Sequence, residues 1–217
     1  MGKQYTAVTY SPLEEDWNIY THLVGFILSV VGLVMLCFRE SVTTTYTISA
    51  LVFGLSLCIL YFASTIYHKA TQPKRRARLQ IFDHAAIYIL IAGTYTPFTL
   101  VTLEGETGII IFCVTWGIAL FGVILKIFYT GRFDVLSTIL YVAMGWMIVF
   151  AYKPLIANLH PTGVQWLFGG GIAYTVGAII YSFNKIPGNH AIFHVFVCIG
   201  SFCHFMAVYL YVWMPIH

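Results

Sequence analysis

Histidine recurs in this chain where apolar runs begin or end. In GNHAIFHVFV, residues 188–197, His190 and His194 stand four apart, so a helix stacks them one turn apart on a single face. STIYH closes another apolar run with His68, and Ser64 lies one turn before it. IFDHAA brings Asp83 and His84 to the start of a third run, and NIYTH places His22 early in the first. Neutral imidazoles beside a carboxylate suit zinc. Three nitrogen ligands leave a fourth tetrahedral position for water, whose pKa the metal lowers toward about 7. Asp83 would accept that water's proton or orient it, and Ser64 would polarise a substrate carbonyl or satisfy a backbone group. By spacing alone, HAIFH reads equally well as a pair of hydrogen-bonded packing residues, because it lacks the glutamate of HExxH.

The elements that must carry these residues follow from composition. Of 217 residues, 59% are hydrophobic and 9% charged, against about 25% charged in a soluble domain. The chain is therefore expected to be an all-α integral membrane protein. Seven segments are long and apolar enough to span: roughly 17–38, 42–68, 81–103, 108–129, 134–152, 164–183 and 190–213. Residues 1–16 form an N-terminal segment without the apolar core of a signal peptide, and 17–217 a seven-helix domain. The interruptions, such as KATQPKRRARLQ, KPLIANLHPTG and NKIPGN, read as short polar connections. Pro97 should bend the third helix, and LFGGGIAYTVGA should let the sixth pack closely. Five cysteines, all inside apolar runs, read as small hydrophobes without disulfides. The absence of a lysine from the seventh segment excludes a retinal Schiff base.

Lysine and arginine set the orientation. With the N-terminus inside, the inner face carries Lys3, Lys69, Lys74, Arg75, Arg76, Arg78, Lys126, Arg132 and Lys185, leaving Arg39 and Lys153 outside. The N-terminus is thus expected in the cytoplasm and the C-terminus outside. PKRRAR reads mainly as the topology signal. Tyr67, like Trp17, Tyr20, Tyr211 and Trp213, reads as an interfacial anchor. The orientation collects His68, Asp83, His84, His190 and His194 in one layer at the inner face, with His22 slightly deeper. His204 lies about 15 Å deeper and reads as a satisfied bundle histidine. Ionisable groups at such depth usually mark function.

Taken together, NIYTHLVGFIL (18–28), STIYH (64–68), FDHAAIYILIAGTYTPF (82–98) and NHAIFH followed by CHF (189–205) resemble the progestin and adipoQ receptor family. The resemblance is nearest to its bacterial hemolysin III-like branch and covers nearly the whole chain. It implies a seven-helix fold with zinc near the cytoplasmic face, in the plasma membrane. It also implies His68, His190 and His194 as ligands, Asp83 reaching the metal through water, and Ser64 as the family's serine. His22 would support a ligand or Asp83 by hydrogen bonding. The implied activity is zinc-dependent hydrolysis of a lipid amide, as in a ceramidase. The alternatives are a non-enzymatic regulator of membrane fluidity or energetics with structural zinc, or a hemolysin-type activity. Membrane lipids are the expected substrate or ligand, nucleic acid is not a partner, and no protein partner can be deduced.

The charge asymmetry makes a first prediction: a reporter fused after His217 will be read outside the cytoplasm. A cytoplasmic signal there would overturn the orientation.

Overall fold

The computed structural model describes residues 8–39, 43–131, 133–183 and 185–213. Lys3, Arg132 and His217 lie outside the described residues. The regular elements are all helical: α1 (Pro12–Cys37), α2 (Thr44–Lys69), α3 (Pro73–Pro97), α4 (Gly105–Tyr129), α5 (Asp134–Gly145), α6 (Tyr152–Asn158), α7 (Pro161–Ser182) and α8 (Asn189–Tyr211). A π-helical turn, Phe98–Thr102, prolongs α3, and a 3₁₀ turn, Met147–Ala151, joins α5 to α6. These make seven helical rods long and apolar enough to cross a membrane. Their outer faces are apolar, with Leu28, Leu120 and Phe121 well exposed, as hydrocarbon rather than water would require. The chain is a multi-pass membrane protein.

Several helices begin earlier or end later than the apolar runs alone suggest, and local chemistry explains it. α1 starts at Pro12 because the Ser11 hydroxyl caps the Glu14 amide at 3.3 Å, with Pro12 in the first turn and Glu14 and Glu15 at its positive pole. The start of α3 at Pro73 makes PKRRAR helical rather than a loop. The residues KPLIAN likewise form helix, α6, rather than a connection.

Pro97 is the last residue of α3. Its missing donor falls where α3 passes into the π turn, and Leu103 N–H then donates to the Phe98 carbonyl at 2.8 Å. Bundle order follows from packing: α8 lies along α7 and less extensively along α1, α2 is flanked by α1 and α3, and α4 rests on α3. The small residues of α7 permit its contact with α8. A Cβ on Gly170 would fall 2.3 Å from the His204 ring, and one on Gly177 would fall 2.8 Å from Phe196 Cβ. All five cysteines are free thiols, as expected.

The fold places the N-terminal ends of α1, α3 and α8 and the C-terminal end of α2 together. At the opposite end of α3, α4 clasps the π turn, where Gly108 stands so close that a Cβ would lie 2.1 Å from the Thr99 carbonyl oxygen. A backbone atom cannot rotate aside, so Gly108→Ala is expected to cost about 1–3 kcal/mol. Reversible unfolding in mixed micelles measures it, and a wild-type midpoint would contradict the contact.

Candidate metal centre

Four elements meet at the histidine-bearing end of the bundle. His68 comes from the last turn of α2, and His190 and His194 from the first two turns of α8. All three are buried, and one ligating atom from each lies within 4.8 Å of the others. The Nε2 atoms of His68 and His190 face each other at 3.2 Å. Two nitrogens bound to one tetrahedral zinc at 2.0–2.1 Å stand about 3.3 Å apart. The separation is therefore that of two ligands sharing an ion.

The far sides of the rings fix their tautomers. His68 Nδ1–H donates to Glu15 Oε2 at 2.7 Å, and His194 Nδ1–H donates to the Asn18 carbonyl at 3.3 Å. Both therefore turn an Nε2 lone pair inward. Without a cation the 3.2 Å contact would be a hydrogen bond from His190 Nε2–H to His68 Nε2, leaving His190 Nδ1, which has no partner among the described residues, a buried acceptor without a donor at about 1–3 kcal/mol. The residues present fit a metal, and the His68, His190 and His194 cluster could hold one.

The remaining expected residues distribute unevenly. His22 is buried and stacks on His194, with ring centroids 3.5 Å apart and planes 5° from parallel, and it meets the Tyr61 ring edge-on at 5.1 Å. Neither of its ring nitrogens has a hydrogen-bond partner among the described residues. Asp83 is buried outside the 4.8 Å set, with Oδ2 3.6 Å from His84 Nδ1. His84 Nδ1–H donates to the Gln80 carbonyl at 2.8 Å. Ser64 is buried, and its hydroxyl has no hydrogen-bond partner among the described residues. His204 Nε2–H donates to the Leu167 carbonyl at 3.0 Å, well away from the cluster, in keeping with a bundle histidine.

A cavity of about 150 Å³ opens beside the cluster. Asp83, His22, His190 and His194 line one part, and Tyr95, Trp146 and His204 line another, with aliphatic side chains between. Asp83 and two of the three clustered histidines thus share a space, whereas Ser64 is not among the residues lining it.

Some of what surrounds the cluster is not legible in the sequence pattern. Arg76, one of six residues in PKRRAR, is buried rather than solvated. It pairs with Glu15 and donates to the Val8 carbonyl at 3.0 Å and to the His68 and Ala70 carbonyls at 3.3 Å. Its guanidinium also lies 4.7 Å over the Tyr67 ring. Tyr67 is consequently buried, not an interfacial anchor, while Trp17 and Tyr20 are exposed as anchors should be. Tyr10, ahead of α1, stacks on His190 at 4.6 Å, and burial raises its phenol pKa so that it stays neutral. SPLEED signals a capped helix start, but its capping-box position is Glu14, and nothing in the pattern singles out Glu15 as the partner of His68.

Seven spanning helices around a buried three-histidine cluster define a multi-pass membrane protein with a candidate metal centre. Comparison with known proteins gives the particular family: the chain belongs to the Haemolysin-III related family, whose model matches residues 10–205. It is 44% identical to Hemolysin-3 of Bacillus cereus over 98% of both chains. It is 46% identical to the Hemolysin-3 homolog of Bacillus subtilis, over 91% of this chain and 94% of that one. A more distant relative is the human monocyte to macrophage differentiation factor, 29% identical over 92% of this chain and 85% of that one. The resemblance read from the sequence motifs is borne out.

The geometry predicts about one metal ion per chain. His190→Ala or His194→Ala will each abolish stoichiometric binding, and His204→Ala will retain it, as measured by metal analysis of protein purified in detergent. Dependence on His204 with indifference to His190 would refute the cluster as the binding site.

Proposed function

We propose that this protein is a zinc-dependent hydrolase of the plasma membrane, acting on a lipid amide from within the bilayer, with its N-terminus in the cytoplasm. The observation that carries this reading is the convergence of three buried imidazoles beside a largely apolar cavity that Asp83 also lines. Nitrogen and sulfur ligands suit zinc among the common metals, and three histidines with one open position are the donor set of a catalytic rather than a structural site. Bound there, zinc would supply hydroxide at neutral pH and polarise a carbonyl.

The chain's own residues have separable tasks. His68, His190 and His194 would hold the metal. Asp83 would take the proton from the attacking water and return it to the leaving amine, for which a carboxylate bordering the same cavity is suited. The aliphatic lining between Asp83 and Trp146 would hold the lipid's apolar portion and exclude bulk water. His22 would offer a ring N–H to the amide or to Asp83. Ser64, buried and not among the residues lining the cavity, is assigned no contact with the substrate carbonyl.

A second reading has its own support. The clustered histidines connect α2 to α8, and the Glu15–Arg76 pair extends that connection to α1 and α3. A metal there would brace four helices, which suits a non-enzymatic regulator of membrane fluidity or energetics. The name Hemolysin-3 describes the Bacillus cereus relative. A hemolysin-type activity here is the weaker reading, because the helices form a packed apolar bundle without the amphipathic stripe of an inserting pore.

Asp83→Asn distinguishes these readings. Asparagine hydrogen-bonds but cannot accept the proton, so lipid hydrolysis should fall about 10²–10⁴-fold, while losing a partner beyond the ligands weakens metal binding only about 10–100-fold. Released fatty acid, measured by mass spectrometry on native lipid extract, should vanish from zinc-loaded Asp83→Asn protein. A zinc-loaded variant that still controls membrane state in cells, with no fatty acid released even by wild type, would establish the regulator instead.

A further inference from the structure

The three clustered histidines are not supported alike. His190 Nδ1 has no hydrogen-bond partner among the described residues, and His194 Nδ1 meets a neutral carbonyl. His68 alone of the three meets a carboxylate, Glu15 Oε2 at 2.7 Å, with its own side chain wholly shielded and Glu15 18% exposed. The other carboxylate oxygen, Oε1, is bound by Arg76. Arg76 also donates to the carbonyls of Val8, His68 and Ala70, so the carboxylate is held from behind by a cation that is itself fixed on several sides. Glu15 is one of a stripe on α1: Glu15, Asn18 and His22, spaced i, i+3 and i+7, each touch a clustered histidine.

We infer that Glu15 is the positioning residue of the metal centre, its carboxylate locking His68 with Nε2 toward the ion and Arg76 fixing that carboxylate in place. The physical effect is known in kind. A carboxylate accepting the distal N–H of a ligating imidazole fixes its tautomer and ring orientation and raises its basicity. Here it has a further consequence. Glu15 lies in the first turn of α1, His68 in the last of α2 and Arg76 in the first of α3, so the ligand is oriented only when three helix ends have docked. The centre's affinity is thereby coupled to the seating of α1, without α1 contributing a ligand. The inference rests on the metal reading above, and its test separates the two.

Full-length protein in detergent is titrated with zinc against a chelator and with cobalt(II), whose visible spectrum reports ligand geometry. Glu15→Gln keeps size and an acceptor but not charge, and should bind zinc about 10–100-fold more weakly with an altered cobalt spectrum. Glu15→Ala, lacking the acceptor too, should lose at least as much. If Glu15 only ties α1 to α3, Glu15→Gln will lower the thermal midpoint of the metal-free protein. Zinc affinity and cobalt spectrum will then stay those of wild type, which overturns the inference and leaves the metal centre standing. If wild type binds neither metal, or His190→Ala binds as wild type does, the metal reading falls and the inference with it.

Discussion

A neutral imidazole carries one nitrogen that donates and one that accepts, and away from water both need partners. Inside a bundle of apolar helices that requirement constrains the architecture. His68 and His194 spend their Nδ1–H groups on α1, on Glu15 and the Asn18 carbonyl, which leaves His68 Nε2 facing His190 Nε2 at 3.2 Å. Ring nitrogens this close are tolerable only around a cation or a shared proton. The three ligating atoms therefore impose a single relative placement on α2 and α8, and α1 must lie where it can satisfy their outer sides.

The rest of the bundle serves that placement. α8 reaches the cluster because α7 presents glycines to it, close enough that Gly170 touches the His204 ring. Tyr61 of α2 donates to Ser201 of α8 at 2.7 Å, and Ser201 is also bonded to Tyr174 of α7 at 2.8 Å, so a polar network joins these helices along the cavity. Buried networks of this kind fix helix register more than they add stability. On the far side, the π turn after Pro97 and the 3₁₀ break between α5 and α6 leave room beside Tyr95, whose hydroxyl accepts from the Ile148 amide at 2.8 Å and donates to the Gly145 carbonyl at 2.9 Å. The irregular backbone is repaired by a side chain, as a membrane interior demands.

The family shared with Hemolysin-3 of Bacillus cereus extends over nearly the whole bundle, and the cluster sits at one end of it. A site formed from helix ends rather than from loops has a consequence for mechanism. Each ligand is rigid on its own helix, so changes in affinity must come from the docking of helices against one another.

The sequence by itself determined the seven spans, because twenty apolar residues must cross a bilayer whatever their neighbours do. It also determined which chemistry could reach one layer: histidines at the ends of runs around 22, 68 and 190, and a carboxylate at 83, are depth information that a linear pattern carries. It did not determine the environment of individual charges. Arg76 is indistinguishable from Arg75 and Arg78 in PKRRAR, yet it is buried against Glu15, because helical phase and the approach of α1 together select one arginine of the run. Tyr67 was drawn inward by the same arginine. Ser64 lies one turn from His68 as the spacing requires, but only the packing of α2 decided that its hydroxyl would be buried away from the cavity lining. Contacts between helices distant in sequence depend on rotation about each helix axis, and that rotation is set by the packing of all seven spans at once.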